Sequence, residues 1–203
     1  MRIGIDLDDV IAECAVPYLR RFAEEFGVQL PEEPGWHTLA EIRDVPAEEK
    51  DRFRMRIYDS EFFGSLEPYA DCPAVLERMV DAGHELYFIT ARAEKRRVVT
   101  ETWLREKGLF DHAQAVHLKP SGDWDPTQPV GRYDPQSSAR YKVGLATELE
   151  LDRFCEDDRT ISVALAEAGI PVWLFDHSWN RDVAHPLIER VSGWADVAEK
   201  LGL

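Results

Sequence analysis

Cysteine is scarce in this chain, and its three copies stand apart. Cys14, Cys72 and Cys155 are scattered through 203 residues with no CxxC spacing. That usage suggests neither a disulfide framework nor a zinc site. Positive charge is also short. Lys and Arg number 24 against 39 Asp and Glu, a net charge of −15. A nucleic-acid surface needs a basic stripe, so nucleic acid is excluded as a partner. An anionic membrane is repelled for the same reason. No apolar run approaches the roughly 20 residues of a membrane span. The amino terminus turns acidic at Asp6, before the apolar region of a signal peptide could form. The expectation is a protein of a reducing cytoplasm. Internal repeats and low-complexity tracts are lacking as well.

What is present is an ordinary core and a concentrated acidic start. The hydrophobic fraction of 44% is enough for one α/β domain with an elaboration. The opening stretch RIGIDLDDV carries Ile3, Ile5 and Leu7 as a buried strand, with Asp6, Asp8 and Asp9 at its far end. Residues two apart in an extended chain point the same way, so Asp6 and Asp8 are expected to face one site. Buried carboxylates repel one another and lose hydration unless a cation joins them. A hard divalent ion bound through oxygen, such as Mg2+, suits them.

Further along, Leu19, Phe22 and Phe26 predict a helix over 15–26, with Gly27 as its C-cap. Pro31, Pro34, Gly35 and Pro46 break the next stretch, and a second helix is expected over 47–57. Residues 13–67 read as a small helical cap inserted after the first strand. The core then comprises 1–12 and 68–203. In that core, strands are expected at 85–89 (ELYFI), 115–118, 151–155 (LDRFC) and 171–175 (PVWLF), with helices between them. Residues 119–138, rich in Pro, Gly, Ser and Asp, read as a long loop, and 141–149 as helix. Ser192 is the expected cap of the last helix. The fold class is therefore α/β: a Rossmann-like parallel sheet of about five strands with helices on both faces, plus the cap. Ligands of such sheets bind at the carboxyl ends of strands, where Asp6 and Asp8, Thr90, and Asp157 and Asp158 all fall.

Four motifs carry a resemblance. Asp6-Leu7-Asp8-Asp9-Val10 fits DxDx[TV], YFIT ends an apolar strand in Thr90, Lys142 opens a later helix, and FCEDD ends a strand in Asp157 and Asp158. In this order the chain resembles the haloacid dehalogenase superfamily of phosphohydrolases. TARAEKRRVVTETWL, EDD and LFDHSWNR resemble more closely the bacterial and phage proteins related to cytosolic deoxyribonucleotidases.

The resemblance implies a Mg2+-dependent phosphomonoesterase working through an aspartyl-phosphate. Asp6 would be nucleophile and Asp8 acid and base. Thr90, Ala91, Arg92 and Lys142 would hold phosphate. Asp6, the Asp8 backbone carbonyl and Asp157 would hold the metal, with Asp158 behind them. The leading substrate is a (deoxy)nucleoside monophosphate. The alternatives are a sugar phosphate or other small metabolite, or a non-catalytic binding protein on the same fold. An oligomer is left open.

Each residue also has a plainer role. Thr90 could cap a helix. Lys142 could be solvated, with Lys119 its rival for the cationic place. Arg92 could touch phosphate or pair with a surface Glu. Tyr18, Trp36, Tyr58 and Phe62 could stack on a base, though packing within the cap is the better expectation. Asn180 and Arg181 are expected only to shape a turn.

Overall fold

The computed structural model describes residues 1–58, 60–120 and 135–203. Six strands form one parallel sheet. They are β1 (Arg2–Ile5), β2 (Glu85–Ala93), β3 (Ala113–Lys119), β4 (Arg153–Glu156), β5 (Val172–Phe175) and β6 (Ile188–Val191). Their order is β3-β2-β1-β4-β5-β6. The chain builds outward from β1 to β2 and β3, then returns to the other side of β1 for β4. The order therefore reverses between β1 and β4, and the carboxyl ends of those two strands flank the switch point.

Side-chain alternation along each strand feeds two apolar clusters. Phe88, Trp173 and Phe175 join the larger one, with Ile3, Ile5, Trp103 and Trp194. Tyr87, Ile89, Val172 and Leu174 join the smaller, with Phe154, Ile161 and Leu165. Helices α1 (Ala15–Phe26), α2 (Thr38–Glu41), α3 (Ala47–Tyr58), α4 (Cys72–Asp81), α5 (Arg97–Glu106), α6 (Pro135–Glu148), α7 (Arg159–Glu167) and α8 (Trp194–Leu201) complete the described elements. Gly4 is where β1 and β4 press together: a Cβ there would meet the Phe154 ring at 2.6 Å. No described helix is long and apolar enough to cross a membrane.

Residues 13–67 carry α1, α2, α3 and a 3-10 turn over Glu61–Gly64. The chain re-enters where it left, through a bridge between Ala12 and Pro68 and the Tyr69 N–H bond to the Ile11 carbonyl. Tyr18 packs against Trp36 and Phe53 with ring centroids 5.2 Å apart in each case, and Tyr58 against Phe63 at 5.3 Å. These aromatics are packed on one another.

Several expectations need correction. The sheet has six strands rather than about five. The missed strand, β6, is a short edge strand whose only fully buried residue is Val191, so it carries little apolar signal. β2 continues past Ile89 to Ala93. Helix α6 starts at Pro135 rather than 141; proline at a first helical position costs nothing because that N–H has no intrahelical partner. Residues 121–134 of the expected loop lie outside the described residues. The last helix is preceded by Gly193, and Ser192 instead receives its own cap from Asp196 at 3.0 Å.

Candidate active site

The strand β1 stops at Ile5. Asp6 still bonds across to β4, its N–H reaching the Cys155 carbonyl at 3.1 Å. The chain then turns tightly, with both Ile11 and Ala12 donating to the Leu7 carbonyl and Asp9 held at φ 61°. Asp6 and Asp8 consequently do not sit on one extended strand, and they meet different partners.

Asp6 is buried beside Lys142. The Lys142 ammonium lies 2.8 Å from Asp6 Oδ1 and 2.7 Å from Glu156 Oε2. The Asp6 contact is a charge contact: Asp6 Oδ1 has no directed hydrogen bond. Lys142 does not open its helix but sits within α6, on the face that turns Ser138 and Ala146 inward. Its long stem crosses the core so that only the ammonium meets the carboxylates. Lys119, at the end of β3, is not in this group.

Glu156 ends β4 and is fully buried. Its Oε1 accepts from the N–H groups of Asp157 at 3.3 Å and Asp158 at 3.1 Å. Burial pushes the Glu156 carboxyl up to about 7 against the pull of Lys142. Burial likewise raises Asp6, with Lys142 opposing, and raises Asp157 well above the usual carboxylate range, with Asp9 and Glu156 adding to it. One oxygen from each of Asp6, Glu156 and Asp157 lies within 4.8 Å of the others. Three buried carboxylates against one ammonium leave excess negative charge. An all-oxygen donor set of that kind fits a hard divalent cation.

Asp158 has a different task. It is the N-cap of α7, accepting from Thr160 N–H at 2.7 Å and Ile161 N–H at 3.0 Å. Asn180 also braces the site. Its Nδ2 donates to the carbonyls of Asp157 and Phe175, each at 2.8 Å. That is more than a turn residue was expected to do.

On the other side, Arg92 is buried and grips Asp8 with two parallel bonds, Nε to Oδ2 at 3.0 Å and Nη2 to Oδ1 at 2.6 Å. Its guanidinium also lies over the Phe63 and Trp103 rings, at 4.5 and 5.2 Å. Arg92 thus pairs with a site carboxylate, not with a surface Glu. Thr90 is buried within β2, well before α5, so it does not cap a helix. Its Oγ1 accepts from Arg92 N–H at 3.1 Å, and Ala91 between them is half-buried.

Three residues that the sequence reading gave no role contribute here. Glu156 precedes the acidic pair and was legible only if β4 ran one residue further. Asp9 is buried, accepts from Cys14 and Ala15 N–H and from Trp36 Nε1 at 3.0 Å, and is pushed up to about 7 by burial. Trp179 donates from Nε1 to Asp157 Oδ2 at 3.0 Å; no spacing in the sequence signals that contact.

Known proteins are similar to this chain in sequence and in fold. A protein of Halalkalibacterium halodurans, provisionally named a nucleotidase, is 27% identical over 200 residues, covering 96% of this chain and 89% of its own. A haloacid dehalogenase-like family hydrolase from Streptococcus pneumoniae superposes with a TM-score of 0.66 at 12% identity, over 98% of this chain and 97% of that one. A Bacillus subtilis HAD-hydrolase solved with bound magnesium does so with a TM-score of 0.60 at 13% identity, over 100% and 98%. The two structural likenesses establish the fold. The family model for 5' nucleotidase, deoxy (pyrimidine), cytosolic type C proteins matches residues 1–118, more than half of the 203. The chain therefore belongs to that family of phosphatases.

Proposed function

We propose that this phosphatase hydrolyses a (deoxy)nucleoside monophosphate with Mg2+ as cofactor, through an aspartyl-phosphate on Asp6. The observation that carries the reading is Lys142 between Asp6 and Glu156, beside Asp157, at the switch point of the sheet.

In this reading an Asp6 oxygen attacks phosphorus while the bond to the leaving oxygen breaks, and Asp8 gives that oxygen its proton. Asp8 then takes a proton from water, which attacks phosphorus and releases phosphate and free Asp6. Arg92 keeps Asp8 in place through both steps by its two-point grip. Lys142 keeps Asp6 ionised and offsets charge on the transferring group. Glu156 fixes the ammonium. Thr90 supplies a hydroxyl beside the phosphate. Asp6, Asp157 and the Asp8 backbone carbonyl would hold Mg2+, with Glu156 in reach. The ion would offset the charge that burial makes costly and help polarise the phosphoryl oxygens.

Residues 13–67 act as a cap over this site in the same reading. A cavity of about 500 Å³ lies between α1 and the loop at 176–181, with Asp9, Tyr69 and Trp179 in its wall. That size suits a nucleoside-sized molecule. The test is phosphate release from a panel of nucleoside monophosphates and sugar phosphates, with magnesium and with chelator. Release strongest on deoxynucleotides and abolished by chelator supports the reading. Release strongest on sugar phosphates moves the substrate to another small metabolite. No release from any substrate removes the catalytic reading.

A further inference from the structure

We propose that Trp179 is a positioning residue for the cation site: it orients the Asp157 carboxylate, and the inserted segment seats it through Gly35. The inference rests on the proposed reading that Asp6 and Asp157 hold a divalent cation.

Asp157 has two carboxylate oxygens and is buried among other acids. The Trp179 indole N–H donates to one of them, Oδ2, at 3.0 Å. A donor with no charge of its own suits this place. It fixes the rotation of the carboxylate while leaving the negative charge available to a cation, which an Arg or Lys in its place would neutralise. Groups that bond to a metal ligand in this way commonly govern metal affinity.

Trp179 is itself held by two neighbours, His177 and Gly35. Its ring stacks on His177 at 4.3 Å with an interplanar angle of 3°. His177 Nε2 in turn lies 2.8 Å from the Asp9 carbonyl oxygen, so the stack is tied to the turn after β1. Gly35 of the inserted segment also lies against Trp179. A Cβ at Gly35 would come 2.4 Å from Trp179 Cε3, and 3.0 Å from Ser178 Oγ. Only a glycine lets the segment's backbone lie against the indole. The neighbouring Trp36 makes the second link, from Nε1 to Asp9 Oδ2 at 3.0 Å. Two consecutive residues of the inserted segment therefore touch both the Asp9 loop and the residue that holds Asp157. A bridge between Arg181 and Glu33, 2.7 Å long, ties the same two segments at the surface.

The test is Mg2+ titration by calorimetry, without substrate, on the whole chain and on Trp179→Phe, Gly35→Ala, their double variant and Asp157→Asn. Phe keeps the stack on His177 and the face against Gly35 but has no N–H. Melting temperatures without metal establish that each variant folds. The wild type is expected to bind, and Asp157→Asn to lose binding. Trp179→Phe should bind on the order of 10-fold more weakly. Gly35→Ala should also weaken binding, by displacing the indole, although Gly35 touches no carboxylate. In the double variant Gly35→Ala should add nothing to Trp179→Phe, because no N–H is left to displace. Wild-type affinity in Trp179→Phe, beside loss in Asp157→Asn, overturns the role of Trp179 and leaves the cation site standing. Additive losses overturn the link through Gly35. No binding by the wild type overturns the cation site itself.

Discussion

Lys142 and Asp6 lie far apart in the chain and meet with 2.8 Å between ammonium and carboxylate, both almost fully buried. The contact joins the middle of α6 to the end of β1. It explains how a site this acidic folds at all: Lys142 sits between two carboxylates that burial alone would force to hold protons.

Replacing Lys142 by Met should therefore cost stability as well as activity. Removing one partner of a buried ion pair leaves the other uncompensated, a loss of about 3–5 kcal/mol. Urea denaturation of the metal-free protein near pH 8 measures it. Near pH 5 the loss should shrink, because Asp6 and Glu156 can then take up protons. An equal loss at both pH values would show that Lys142 acts through packing alone.

The sheet was legible because its signals are local. The run of Ile3, Ile5 and Leu7, the run ELYFI and the run PVWLF each say buried strand without help from elsewhere, and Gly27, at φ 64°, ends α1 where a left-handed residue is needed. The place of the candidate site was legible where motif residues follow such strands, as Asp6 follows β1 and Asp157 follows β4. Its contacts were not legible where partners are chosen in three dimensions. Asp8 pairs with Arg92 across 84 residues, and Trp179 reaches Asp157 across 22. No periodicity encodes either. Lys142 was expected on the strength of resemblance and helix order, but its depth within α6 follows from a helix start at Pro135 that the loop-like composition concealed.

Arg92→Lys should lower kcat on the order of 10²-fold while leaving the protein folded. Lysine keeps the charge but offers a single point of contact, so the two-bond grip on Asp8 is lost, and small misplacement of a reacting group costs this much. Steady-state kinetics beside a melting curve check it. Activity within twofold of wild type would mean that Asp8 needs no such anchor.

Magnesium should stabilise this protein more at high pH than at low. Burial raises the carboxyls of Asp6, Asp157 and Glu156, the last to about 7. In the metal-free protein a raised carboxyl contributes stability that is full below its unfolded value, near 4, and is lost as pH rises through its folded value, about 7. Protons and the cation compete for the same oxygens. The rise in melting temperature on adding saturating magnesium should thus be small near pH 5 and grow through pH 7 to pH 8. A rise that is largest near pH 5 would place the ion away from these carboxylates.

Asp6, in the proposed reaction, carries the phosphoryl group. Acid-quenched turnover of a phosphorylated substrate in magnesium, followed by mapping of the phosphorylated peptide, tests this, with Asp6→Asn assayed alongside. One added phosphoryl group is expected on the peptide containing Asp6. Asp6→Asn should keep its fold and lose on the order of 10⁴-fold or more in kcat. Undiminished turnover by Asp6→Asn, with no phosphopeptide in the wild type, would contradict this role.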